Sequence, residues 1–148
     1  DLKSKHAFTE AEAEYNTAIE TGKTPELSVL VCDVNGLKQI NDTLGHKAGD
    51  QYLLDASKLI CSSFKHSPVY RIGGDEFVVT LQGPDYEQRE TLVERFGAVI
   101  KKNRAEGGVV IASGRSDFIP EIDTSFAQVF ERADAVMYEN KKKLKQGE

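Results

Sequence analysis

"VYRIGGDEFVVTL" (residues 69–81) sets two acids directly after two glycines, between two runs of strand-forming residues. Val69, Tyr70 and Ile72 lead in, and Phe77, Val78, Val79 and Leu81 lead out. The stretch reads as a β-hairpin turning at Gly73-Gly74, where glycine tolerates positive φ. A turn alone does not call for Asp75 beside Glu76. Adjacent carboxylates repel, and Asn-Gly would reverse the chain equally well. The acids need a reason of their own.

Upstream, "LSVLVCDV" (27–34) is apolar and β-branched nearly throughout, the composition of a central strand. Leu37, Ile40 and Leu44 follow at helical spacing with an inward face, and Gly45 stops that short helix. A second helix is expected to open near Gly49-Asp50, with Leu53, Ala56, Ile60 and Phe64 on one face. Before the strand, residues 5–21 place Ala7, Phe8, Ala11, Tyr15, Ala18 and Ile19 on a stripe, ended by Gly22 and Pro25. Downstream, residues 85–103 read as a helix, "GVVIASG" (108–114) as a strand, and Phe126, Phe130, Ala133 and Met137 as the buried line of a last helix. Strands and helices do not alternate strictly, so the class is α+β: an antiparallel sheet backed by helices.

The 148 residues suit one domain over 1–148, large enough to bury roughly 68–70% of its unfolded surface. No apolar run approaches the ~20 residues of a membrane span, and no secretory signal opens the chain. Cys32 lies in an apolar run, which fits a reduced, buried thiol and a cytoplasmic setting. A net charge of −5 argues against general affinity for nucleic acid or anionic membrane. The chain opens at Asp1 without methionine and closes in a lysine-rich segment, as expected of a piece of a longer protein.

Three places could carry chemistry. Asp33 ends the most apolar strand, and "DVNGLK" turns from it into a helix through Asn35 and Gly36. An acid there is ordinarily a helix cap, yet free backbone N–H groups at a helix start also suit phosphate. If the hairpin pairs beside this strand, Asp33, Asp75 and Glu76 converge. Mg²⁺ would relieve their repulsion, since it takes oxygen ligands and keeps water and substrate phosphate in its shell. Next, Lys38 and Asn41 lie three apart, and Asp50 follows. Asp50 could simply complement a helix dipole and Asn41 bond to the backbone. As a pair they also suit guanine: the acid accepts from N1–H and N2–H while the amide donates to O6 or N7. Last, the line 126-130-133-137 continues at a step of four to Lys141 and Lys145, placed to reach an anion at the sheet's edge, whereas Lys142 and Lys143 read as a solvated basic terminus.

"DVNGLKQINDTLGHKAGD" (33–50), "RIGGDEF" (71–77) and "ADAVMYENKKKLK" (133–145), in this order, resemble the GGDEF family of diguanylate cyclases over nearly the whole chain, with "KSKHAF" (3–8) similar to the end of the family's opening motif. The resemblance implies a mostly antiparallel five-stranded sheet flanked by helices, akin to nucleotidyl cyclases and polymerase palms. It implies a reaction joining two GTP into cyclic di-GMP and two pyrophosphates. Each domain would hold one GTP and two Mg²⁺ (or Mn²⁺) ions, and two domains would face each other as a homodimer under a fused N-terminal sensory or regulatory domain.

Carried across, Asp33 and the Val34 carbonyl match metal ligands, Asp75 matches the metal-binding and proton-accepting position, and Glu76 is its co-ligand. Asn35, Gly36, Leu37 and Lys38 match the phosphate-cradling turn, and Asn41 and Asp50 the guanine contacts. Gly73 and Gly74 let the backbone approach the nucleotide. Lys141 and Lys145 reach the terminal phosphates, Lys145 standing where arginine is common. The family's RxxD product-inhibition motif is replaced by Phe64-Lys65-His66-Ser67, so no tight product binding is expected there. The opening motif is altered, with only Asp1-Leu2 before "KSKHAF". The alternative is a non-catalytic GTP-binding or dimerisation module.

Overall fold

The structure, a computed structural model, describes residues 2–146; Asp1 of the altered opening motif lies outside them, as do residues 147 and 148. Five strands form one sheet: β1 (Leu2–Lys3), β2 (Ser28–Val34), β3 (Val69–Arg71), β4 (Glu76–Leu81) and β5 (Ile111–Asp117), in the order β1-β3-β4-β2-β5. Every pairing is antiparallel except β1 with β3. Six helices complete the chain: α1 (Lys5–Glu20), α2 (Leu37–Leu44), α3 (His46–Ser63), α4 (Gly83–Glu87), α5 (Arg89–Glu106) and α6 (Phe126–Lys145). The mostly antiparallel five-stranded α+β architecture is therefore as expected.

The apolar run becomes the central strand for a simple reason: β2 is flanked on both sides and buried on both faces. Alternation along it splits the core in two. Leu30, Cys32 and Val34 pack with Ala56, Ile60 and Phe64 of α3 and its C-cap and with Phe96 and Ile100 of α5. Val29 and Val31 pack with Phe8 of α1 and with Phe126, Val129, Ala133 and Met137 of α6. An aromatic knot fills the second layer, with Phe8 5.5 Å from Tyr70 and 5.7 Å from Phe126 between ring centres. Cys32 is wholly buried, and burial together with Asp33 pushes its thiol far up, so it is inert.

α6 is tied to the outer edge of β5. Arg132 donates to Ser116 Oγ at 2.9 Å, to the Asp117 carbonyl at 2.7 Å and to the buried Asp123 carboxylate at 2.7 and 2.8 Å. Asn140 Oδ1 accepts the Ser113 N–H at 2.9 Å. The helix start is capped from another element, by Asn16 Oδ1 accepting the Phe126 N–H at 2.8 Å. These bonds occupy part of the outer edge of β5 and fix how α6 lies across β5 and β2.

Several expected boundaries move. α3 opens at His46, because Gly45 (φ +90°) serves both as the end of α2 and the start of α3; Asp50 is one turn inside the helix. The 85–103 helix is two pieces that meet at Gln88. The last strand begins at Ile111 rather than at 108, since Gly107 (φ +88°) and bonds to Asn103 hold residues 107–110 in a tight return. Leu44 points outward at 72% exposure, and no residue of α2 is fully buried. The short strand β1 carries no pattern that two residues could display.

Candidate active site

Pleat parity puts the acids on one side of the sheet. Asp33 follows Val29 and Val31 on the face toward α6, and Glu76 shares the face of Val78. The two acids stand directly opposite in the β2–β4 register. Asp75 is anchored through its backbone, its carbonyl accepting the Val34 N–H at 2.9 Å. The hairpin tip closes where Ile72 and Gly73 donate to the Glu76 carbonyl at 2.9 and 3.3 Å, and Arg71 clamps it by donating to the Gly73 carbonyl at 3.2 Å and the Gly74 carbonyl at 2.6 Å.

The glycines of that tip correct the sequence reading. Neither Gly73 nor Gly74 has positive φ, so conformation does not demand them. A Cβ at Gly73 would meet Glu76 at an ordinary contact of 3.4 Å, and one at Gly74 would project into open space. What the glycines leave is room outside the backbone. The glycine that conformation does require is Gly36 (φ +76°), where the chain leaves β2 and starts α2.

Lys141 lies where the buried stripe of α6 pointed, its Nζ donating to Asp33 Oδ2 at 2.7 Å. The other carboxylate oxygen, Oδ1, is buried without a hydrogen-bond partner. Burial pushes the Asp33 carboxyl above its usual range; the Lys141 hydrogen bond pulls it back, and Asp75 raises it again. Burial also raises Glu76, followed by repulsion from Asp134, Asp33 and Asp75. Lys141 is held charged chiefly by its bond to Asp33. Asp134 was missed in the sequence. It stands on α6 seven residues before Lys141, two turns along the same face, and that spacing was the available signal.

A cleft of about 530 Å³ opens in front of these groups, lined by Val34, Asn35, Gly36, Leu37, Lys38, Asp75, Lys141 and Lys145, and also by Gln39, Asp42 and Thr43. Three lysines and two carboxylates, Asp75 and Asp42, around one cleft suit an anion accompanied by a cation. Asp50 is not in this cleft. It lines a smaller hollow of about 280 Å³ with Leu53, Arg71 and Phe77, of a size for a planar base. Asn41 packs on Gly49, the neighbour of Asp50, so closely that any side chain at 49 would collide with its carboxamide. A larger apolar cavity of about 600 Å³ lies between α5 and α6, but it is lined by no acid and does not reach β2. In the window that replaces RxxD, Phe64 is fully buried and the Ser67 hydroxyl donates to Asp85 at 2.7 Å.

Among the described residues no three carboxylates, imidazoles or thiolates form a ready cage for a metal. Mg²⁺ does not need one, since it is commonly held by one or two carboxylates plus phosphate and water. The orphaned, buried Oδ1 of Asp33 beside two more acids fits such an ion. Because Glu76 is raised above its unfolded value, its favourable contribution to stability is present below the ordinary glutamate range and lost as pH rises through the raised value. At neutral pH the ionised side chain therefore costs stability. Glu76→Gln is expected to raise the melting temperature of the metal-free protein by roughly 2–4 °C; a fall on thermal denaturation at neutral pH would show that the crowding is not felt.

The family model described as "Diguanylate cyclase, GGDEF domain" matches residues 2–147. Diguanylate cyclase A of Treponema denticola is 33% identical over 148 residues, covering 95% of this chain and 40% of the relative. Diguanylate cyclase DgcS of Shewanella oneidensis is 32% identical over 122 residues, covering 80% of this chain and 40% of the relative. The chain thus spans about 40% of the length of these curated relatives. Among solved structures, the GGDEF domain of DgcB from Caulobacter crescentus in complex with c-di-GMP aligns with a TM-score of 0.73 at 26% identity, covering 95% of this chain and 86% of that one. The GGDEF domain of PA1120 from Pseudomonas aeruginosa aligns with a TM-score of 0.74 at 25% identity, covering 97% and 92%.

Proposed function

This chain belongs to the GGDEF family of diguanylate cyclases, and on that premise we propose that it is a working cyclase domain that joins two GTP molecules into cyclic di-GMP. The observation that carries the reading is that Asp75 and Lys141 line one anion-sized cleft while Lys141 also bonds Asp33, one of whose carboxylate oxygens is buried and unpaired. Asp33, Val34 through its carbonyl, Asp75 and Glu76 would hold divalent metal, Mg²⁺ or Mn²⁺, with two ions per half-site. When bound, the metal supplies positive charge to the triphosphate and to the departing pyrophosphate.

The residues divide the remaining work. The turn Asn35–Lys38 and the side chains of Lys141 and Lys145 hold the phosphates, Lys141 exchanging its bond to Asp33 for one to the substrate. Asp50, in the smaller hollow, and Asn41, packed on its neighbour Gly49, read guanine, and adenine, lacking the N1–H and N2–H donors, would leave the acid unpaired. Gly74 leaves open space through which the sugar and phosphates approach the tip. Asp75 takes the proton of the attacking 3′-hydroxyl, the oxygen bonds to the α-phosphorus of the other GTP, and pyrophosphate leaves. One cleft holds one GTP, so the ring closes only when a second copy of the domain presents its own nucleotide face to face. In the cell the domain works in the cytoplasm, as part of a longer protein whose other part governs dimerisation.

Incubating a concentrated or leucine-zipper-fused form with GTP and Mg²⁺ is expected to yield cyclic di-GMP on chromatography, with a rate rising faster than linearly with protein concentration. GTP bound without turnover in the forced dimer would instead make the chain a regulatory nucleotide-binding module.

A further inference from the structure

We propose that Tyr52 is a positioning residue for the nucleotide: its hydroxyl holds the Asn35–Lys38 turn against the sheet and so sets the wall of the cleft that faces the phosphates. This rests on the reading of the cleft given above. Tyr52 is a half-buried residue of α3, outside every motif that marks the family in this sequence. Its hydroxyl accepts the Val110 N–H at 2.8 Å and donates to the Asn35 carbonyl at 3.2 Å. A neutral phenol has one donor and two acceptor sites, so both bonds form together. Burial raises its ionisation further above neutrality and keeps that donor in place.

The position of these bonds matters more than their number. The β2–β5 ladder runs as far as Val34 opposite Ile111, so Asn35 and Val110 would be its next pair. The Asn35 N–H does bond the Val110 carbonyl, at 2.9 Å. The reciprocal bond, Val110 N–H to Asn35 carbonyl, is absent as a direct contact and is bridged by the tyrosine hydroxyl. Tyr52 therefore closes a hydrogen-bonded ring that holds the two strands apart by one hydroxyl where the chain must leave the sheet. The next residue, Gly36, takes left-handed φ, and α2 starts at Leu37. All four residues from Asn35 to Lys38 line the cleft with Asp75 and Lys141. Removing the hydroxyl either leaves two backbone groups unpaired or lets the ladder close directly, and both outcomes shift the turn. Asp50 lines the separate hollow, so the base contact is spared.

The test is Tyr52→Phe, titrated by calorimetry with GTP and with GMP in the presence of Mg²⁺, beside the wild type. GTP affinity is expected to fall about fivefold, the worth of roughly one hydrogen bond, while GMP affinity stays nearly constant, so that the preference for GTP over GMP narrows. Equal losses for both nucleotides, or no loss, overturn the inference. Amide hydrogen exchange gives a reading that needs no variant: the Val110 amide, beyond the last rung of the ladder, is expected to be protected in the wild type, and free exchange there overturns the inference as well. A wild-type protein that binds no GTP sinks the functional reading itself, whereas normal wild-type binding with an unaltered variant sinks only the role of Tyr52.

Discussion

Asp75→Asn is expected to cut cyclic di-GMP formation by about three orders of magnitude while the melting temperature stays within a few degrees of wild type. A metal ion held by this group would be worth several kcal/mol to the transition state, and each 1.36 kcal/mol is a factor of ten in rate. The fold does not depend on the side chain. Residue 75 is tied down by its backbone carbonyl, which accepts from Val34, and by the Arg71 clamp on the two glycines before it. Asparagine keeps both and loses only the charge. Asp33→Asn is a less clean probe, because it also removes the negative charge that Lys141 pairs with at 2.7 Å and so changes stability along with activity. Product chromatography with enzyme in excess, paired with a thermal melt, separates the two effects. A rate for Asp75→Asn within a few-fold of wild type would show that the proton and metal are handled elsewhere.

Much of this site could be read in the sequence because it follows from period and order. The apolar run of β2 announced a central strand, and the acid at its end had to emerge at the sheet's edge. Steps of four and three along α6 carried the eye from Met137 to Lys141, and the structure sets that lysine on Asp33. What could not be read depends on single contacts that leave no periodic trace. Tyr52 looks like any half-buried helix residue until its hydroxyl is seen bridging Asn35 and Val110. Leu44 fits the apolar spacing of α2, yet that helix packs on α3 and buries no residue completely, and Leu44 faces outward. Asn41 and Asp50 were legible as residue types, but the seating of Asp50 in a hollow apart from the cleft was not, because it depends on α3 following α2 through the single residue Gly45.

Glycine shows the same limit, and it carries the largest expected effect on stability. Gly73 and Gly74 attract attention as a pair, yet within the chain neither is strained or crowded. Gly114, unremarked in "GVVIASG", is the one whose added Cβ would meet helix backbone. It lies buried in β5 under α6, where an added Cβ would run into the backbone at Met137 N and Ala133 O and stand 2.7 Å from Val136 C. Side chains can rotate away from such a clash; a helix backbone held by Arg132 on one side and Asn140 on the other cannot. Gly114→Ala is therefore expected to cost about 3 kcal/mol, at the upper end for overpacking, and to lower the melting temperature by roughly 10 °C. Gly97→Ala provides the contrast: it sits inside α5 with nothing within 4 Å of the new methyl, and helix propensity predicts a gain of up to about 1 kcal/mol. Because α6 also carries Lys141 and Asp134, lifting it from β5 moves the site along with the core. Below its melting point, Gly114→Ala is thus expected to bind GTP more weakly although no residue of the cleft has changed. Near-equal melting temperatures for the two alanine variants would mean that α6 does not press on the strand as closely as this packing requires.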